Sequence, residues 1–242
     1  MAHGYPDYGL AAALQNIYAI VDLGELAARL GAVSVFSRAG STLFQDTFDS
    51  GLGKWSIGKG SANVHADVKV GLGILDAVCA DLVIDAAGAS YVGLDCVRAF
   101  PYTTPVGLEA SFWPANDVSY VRLTLRTERL TWYGLIQAFY YIGDGKVTIA
   151  GPDSVEHVLG YLPPGGLTNE WITMKVTADL LAGKGKLLRV NSYSYDLSGY
   201  TDLRVNMAFM LDVMRWNIYA FGPGAPVGHC YVEDVVVTIN EP

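Results

Sequence analysis

Between Val118 and Arg126 the chain reads VSYVRLTLR, with Val121, Leu123 and Leu125 on one side and Arg122, Thr124 and Arg126 on the other. Successive side chains of a strand point to opposite faces, so this pattern fits a strand with one face in a core and the other in water. The pattern recurs. Val106, Leu108, Ala110 and Phe112 share one face of 106–113. Ile172, Met174 and Val176 share one face of 171–178, with Thr173, Lys175 and Thr177 opposite. Segments 135–142 and 146–150 flank Gly143, Asp144 and Gly145, turn residues that accept positive φ, and form a hairpin. Gly183–Lys184–Gly185 links 171–178 to a strand over 187–195, and further strands are predicted at 41–48, 203–211, 215–221 and 230–239. Turn signals fall roughly every 8 to 15 residues, the rhythm of an antiparallel sandwich. Helices do not alternate with these strands, which argues against a parallel α/β sheet.

Residues 1–40 differ. Met1–Gly9 has no periodicity and reads as an extended arm; 16–21 (NIYAIV) reads as a short strand. Asp22–Leu30 carries a helix signal: Asp22 caps, Glu25 returns the capping box, Leu23, Leu26, Ala27 and Leu30 form a stripe, and Gly31 stops it. So short a helix needs a surface to pack on. The expected organisation is an N-terminal arm over 1–40 and a sandwich over 41–242. Pro163–Pro164–Gly165–Gly166 reads as a rigid turn between strands.

Composition sorts the partners. Hydrophobic residues make up 51% and charged residues 17%, against about 25% charged in an average domain. The apolar surplus exceeds what a core needs and points to contact with other chains, a homo-oligomer first. A net charge of −8 speaks against a nucleic-acid partner, which needs clustered cations. No apolar run reaches the roughly 18 to 20 residues of a membrane span, and the N-terminus lacks a secretory signal, so synthesis is expected in the cytoplasm. Cys79, Cys96 and Cys230 read as three small buried residues, with a Cys79–Cys96 bridge left open.

Three segments resemble concanavalin A-like lectin/glucanase domains. LFQDTFDSGLGKWSI (43–57) is similar to their opening strand and loop, TNEWITMKVTADLLAGKGKLLRVNSYSYDL (168–197) to a strand–turn–strand hairpin, and CYVEDVVVTI (230–239) to their closing strand. The resemblance implies an all-β jelly roll of two antiparallel sheets, preceded here by an arm with one short helix. MAHGYPDYGL, DLGELAARLG and SVFSRAGSTLFQDTFDSGLGKW resemble the N-terminal region of bacteriophage and prophage structural proteins. That likeness implies a virion or other extracellular particle as location and virion proteins as partners.

Catalytic chemistry finds little support in the residues. Glucanases of this superfamily place carboxylates on one strand face as E-x-D-x-E, and no such segment occurs. Glu233 and Asp234 are adjacent, Asp46 and Asp49 are three apart, and a regular strand splits both pairs across its faces. Asp81 and Asp85 could share a face, but they read as solvated or turn-bound, as do the others. His65 and Asp67 read as a surface pair; His229 and Cys230 point opposite ways on a strand. Some lectins of the superfamily bind Ca²⁺ through loop carboxylates, which makes Asp144 and Asp153 the weak metal candidates, with turn formation explaining both. A sugar site wants aromatic platforms with polar neighbours; Trp132, Tyr133, Trp113 and Asn116 are the candidates by composition. Trp55 and Trp171 read as core anchors, and Trp216 as buried or interfacial.

The leading expectation is a non-catalytic structural component of a phage-like virion or other assembly, oligomerising through sandwich and arm. The alternatives are a carbohydrate-binding, receptor-binding module and a glycoside hydrolase with an atypical carboxylate pair. Light scattering after size exclusion checks the first: a defined oligomer is expected for the full chain and a monomer for a chain beginning at Ser41. Two monomers would move the apolar surplus to a ligand face.

Overall fold

A computed structural model describes residues 40–73, 78–85, 90–99, 105–162, 170–207, 212–223 and 227–241. The arm strand at 16–21, the helix at 22–30 and the turn at 163–166 lie outside the described residues. Sixteen strands run in order among the described residues: β1 (Ser41–Asp46), β2 (Ser56–Lys59), β3 (His65–Val70), β4 (Val78–Ile84), β5 (Tyr91–Ala99), β6 (Val106–Asn116), β7 (Tyr120–Glu128), β8 (Tyr133–Tyr141), β9 (Lys146–Ala150), β10 (Glu156–Tyr161), β11 (Ile172–Asp179), β12 (Lys184–Val190), β13 (Tyr193–Asp196), β14 (Arg204–Val205), β15 (Val213–Phe221) and β16 (Gly228–Ile239). They form two antiparallel sheets of eight. The first has the order β13-β12-β11-β6-β16-β4-β3, with β1 also on β16; the second has the order β10-β9-β8-β7-β15-β5-β2, with β14 on β8. Among the described residues no helix is long and apolar enough to cross a membrane.

Alternation builds the core. Leu108 and Phe112 of the first sheet and Leu123, Leu125, Ile136 and Trp216 of the second are all fully buried between the sheets. Phe112 and Tyr140 meet across the gap with ring centroids 6.3 Å apart. Burying a side chain of this size contributes about 1.5 to 3 kcal/mol. β4 is buried along nearly its whole length, on both faces.

At one end the core is closed by Asp46, which is 2% exposed. Its carboxylate accepts from Trp55 Nε1 at 2.6 Å, Lys54 Nζ at 2.7 Å and the Phe48 amide at 3.3 Å. Trp55 stands edge-on to Phe44 at 5.3 Å, and Phe44 touches Trp216 at 5.2 Å. The 43–57 segment is thus a turn organised by one buried carboxylate rather than a solvated acidic loop.

Several expectations change. Trp171 is half-buried and packs on Trp113 at 6.3 Å, outside the core cluster. The strand expected over 187–195 is broken at Asn191 (φ 50°) into β12 and β13, and of 203–211 only Arg204–Val205 is a described strand. Glu233 and Asp234 sit in a β-bulge, with Asp234 at φ 50°, so the regular alternation assumed for them fails there. All three cysteines are free and buried, with Cys79 in the first sheet and Cys96 in the second, so no Cys79–Cys96 bridge forms. Burial, with Glu233 and Asp81 nearby, pushes the Cys79 thiol up to about 12.

Replacing Asp46 by Ala leaves the Trp55 indole donor buried and unpaired. Equilibrium denaturant unfolding is expected to show a loss of about 2 to 4 kcal/mol, the cost of stripping a charged partner from buried donors.

Candidate functional site

β15 pairs with β7 and β5 residue for residue over all nine of its positions. β7 and β8 pair in the same unbroken way. Outward side chains of the second sheet therefore line up in straight rows across it. One row runs Tyr91, Phe221, Tyr120, Tyr141. The next runs Gly93, Tyr219, Arg122, Phe139, Thr148. The third runs Asp95, Asn217, Thr124, Gln137. Beyond it stand Arg215, Arg126 and Leu135.

The first two rows make a pavement of rings. Tyr120 stacks on Phe221 at 4.3 Å and 14°, and Tyr141 adjoins Tyr120 at 5.1 Å. Tyr91 lies 5.5 Å from Phe221 and 5.4 Å from Tyr219. Arg122 is the cation at the centre, 5.1 Å from the centroids of both Tyr219 and Phe221. Such cation–ring contacts hold a guanidinium in place without consuming its donors. Burial draws the Arg122 pKa down, opposed by Tyr120, Tyr219 and Asp95. Glycines make the ring positions possible: a Cβ on Gly93 would come within 2.6 Å of Tyr219 Cγ. Across Gly93 the Tyr219 hydroxyl donates to Asp95.

The polar row carries the chemistry. Thr124 Oγ1, Asn217 Oδ1 and Arg122 Nε are buried atoms with no hydrogen-bond partner among the described residues. Such atoms are costly unless a ligand or water satisfies them. The carboxylates on this face are engaged. Asp95 accepts from Tyr219; Glu128 Oε1 lies 3.0 Å from Arg126 Nε and 2.9 Å from Arg215 Nε; Glu156 accepts from Tyr141 at 2.7 Å and Thr148 at 2.9 Å.

The residues singled out from the sequence fall in different places. Tyr133 lies at the end of this same face, opposite Glu128 and under Arg126 at 5.3 Å. Trp132 is 7% exposed, held between Arg204 at 4.6 Å and Arg129 at 5.8 Å, and presents no open ring. Trp113 lies on the outer face of the first sheet with Trp171 and Tyr231, and Asn116 ends β6 opposite His229. The four candidates therefore do not form one platform. Asp144 accepts from the Lys146 amide at 3.0 Å and Asp153 from the Val155 amide at 3.1 Å, both as turn formers. Among the described residues no group of three or more His, Cys, Asp or Glu is arranged to hold a metal.

Other acids have partners the sequence did not reveal. Asp81, 1% exposed, faces His229 Nδ1 at 3.0 Å, so it is neither solvated nor turn-bound. His65 and Asp67 approach to 3.4 Å at the surface along one strand. Asp95, Tyr120, Gln137, Asn217 and Tyr219 escaped the sequence reading. Their alternation was visible, but the register that brings them beside Arg122 and Thr124 was not.

No protein-family model and no curated protein matches the chain. Solved structures do. A carbohydrate esterase from the Shiga toxin-encoding bacteriophage phi24B is 12% identical, with a TM-score of 0.53 over 84% of this chain and 100% of that one. An endo-β-1,4-glucuronan lyase from the fungus Trichoderma reesei is 9% identical, with a TM-score of 0.53 over 83% and 96%. A sialidase is 12% identical with a TM-score of 0.51, over 84% of this chain and 19% of that one. At these identities the likeness is one of fold. The sandwich is a jelly roll of two antiparallel sheets, a fold it shares with this esterase and this lyase.

Burial and a hydrogen bond to Asp95 raise the Tyr219 pKa, and burial with a hydrogen bond to Glu156 raises that of Tyr141. A phenol whose folded pKa exceeds its unfolded value of about 10 stabilises the fold fully below that pH and loses the contribution as pH climbs through the folded value. Ultraviolet titration of the native protein is expected to place both phenols in its most alkaline part. Tyr219→Phe and Tyr141→Phe should each shorten that part and leave the region near pH 10 intact.

Proposed function

We propose that the chain is a non-catalytic carbohydrate-binding module whose binding surface is the outer face of the second sheet. One observation carries the reading: the polar row Asp95–Asn217–Thr124–Gln137 lies directly beside the ring pavement centred on Arg122. A sugar ring offers an apolar C–H face and a rim of hydroxyls. The first matches the half-buried rings of Tyr120 and Phe221 and the exposed Tyr91, the second matches the half-buried side chains of Asn217, Gln137 and Arg122. Sites of this kind combine aromatic lining with a few placed polar groups. The non-catalytic part is supported by the carboxylates of this face: Asp95, Glu128 and Glu156 are each engaged in hydrogen bonds or ion pairs with neighbouring side chains.

A role as a component of a larger particle stands beside this reading and is compatible with it. It is favoured by apolar side chains exposed along the outer strand of each sheet: Val68 and Val70 on β3 at 37% and 78%, Val158 and Tyr161 on β10 at 54% and 61%. Exposed apolar edges of this sort suit contact with other chains.

A glycan array followed by titration calorimetry tests the binding surface. Tyr120→Ala and Arg122→Ala are each expected to weaken the best glycan tenfold or more, about 1.4 kcal/mol. Trp132→Phe should leave it unchanged. An array without a hit, or unaltered affinity in both variants, overturns the assignment.

A further inference from the structure

The outer face of the first sheet holds a cavity of about 600 Å³, lined by Lys175, Lys184, Lys186, Arg189, Asp179 and Glu241 among others. Four of the chain's 16 Lys and Arg thus surround one space, in a molecule whose net charge is −8. The two carboxylates in the lining are already engaged. Glu241 lies 2.6 Å from Lys175 Nζ and also accepts from Thr238. Asp179 accepts from the Ala182 amide at 2.9 Å in the turn between β11 and β12. Lys184 is exposed and Lys186 is half-buried, and among the described residues neither makes an ion pair.

A local irregularity gathers these cations. β11 and β12 lose register between Thr177 and Ala178: Thr177 faces Leu187, Ala178 faces Gly185, and Lys186 is the extra residue. A bulge re-aims the residues it contains. Here it lets Lys184 and Lys186 share the cavity with Leu187 and Arg189, which lie beyond it. Gly107 gives the floor its shape, since a Cβ there would come within 2.9 Å of Glu241 Oε1. Like charges converging on a concave site repel one another, and an anion entering it turns that repulsion into attraction.

We propose that this cavity is an anion site for a small organic molecule carrying a phosphate or sulfate group, separate from the glycan face on the other sheet. A bare ion would fill little of the volume, which falls in the range of small-molecule sites. Lys184 and Lys186 contact the charged group, and the remainder of the ligand lies along Leu187 and Thr177. The Lys175–Glu241 pair forms a fixed wall.

Calorimetric titration of the full chain with glucose 6-phosphate, glucose 6-sulfate and glucose separates the alternatives. At least one ester is expected to bind tenfold or more tightly than glucose; which of the two binds identifies the group. Raising the salt concentration should weaken binding, because the contacts are partly exposed. The double variant Lys184→Ala/Lys186→Ala should weaken it tenfold or more, and Lys184→Gln/Lys186→Gln, which keeps the alkyl stems, should do the same with an unchanged melting temperature. Arg122→Ala should leave ester binding intact. Absence of binding by both esters at about 1 mM, equal binding of glucose, or undiminished binding in both double variants would overturn the proposal. Loss of ester binding in Arg122→Ala would move the anion to the other sheet and overturn this site alone.

Discussion

The register of β15 is the constraint on which the candidate face depends. Met214, Trp216, Ile218 and Ala220 point into the core, all fully buried. A slip of one residue would send Trp216 into water and bring Arg215 and Asn217 into the core, so the register admits no neighbouring alternative. Because β5 and β7 follow β15 without a bulge, the order imposed by the core is copied onto the outer surface. The rows of rings, amides and arginines are the exterior image of an interior packing solution.

The first sheet is built on the opposite principle. β16 pairs with β6 on one side and with two strands on the other, β4 at its start and β1 at its end. Changing partner requires a break, and the bulge around Asp234 supplies it. Away from that break its outer side keeps straight rows, such as Arg189–Lys175–Glu109–Val236. These rows enclose charges: Glu109 and Lys175 are 3% and 4% exposed. The two faces of one sandwich thus offer different chemistry, a flat aromatic one and a recessed ionic one.

Much of the architecture was legible in the residues. The alternation in 106–113, 118–126 and 171–178 and the Gly143–Asp144–Gly145 turn correspond to β6, β7, β11 and the β8–β9 hairpin, with β7 running two residues later than the pattern marks. β5 was missed: Val92, Leu94 and Cys96 point inward, but Gly93 and Asp95 between them weaken its outward side as a strand signal. β4 gave no alternation because both of its sides are covered. The site was less legible for a different reason. Alternation says which way Tyr219 and Arg122 point and nothing about which residue lies opposite; that depends on pairings between segments about a hundred residues apart. Composition drew attention to tryptophans, while the rings of the pavement are tyrosines and phenylalanines on four adjacent strands.

Gly58, Gly93 and Tyr219 make up a single unit in which one side chain lies over two residues that have none. A Cβ on Gly93 would also come within 2.6 Å of the Ile218 carbonyl, and one on Gly58 within 2.7 Å of the Asp95 carboxylate. These positions are therefore not independent in descent. A lineage that keeps the ring and its bond to Asp95 is closed to any larger residue at either glycine. A lineage that gives up the ring is freed at one contact, while the Ile218 carbonyl and the Asp95 carboxylate still bar the way. Gly93 is thus held by the neighbouring backbone as well as by the ring, and loss of the tyrosine alone does not release it.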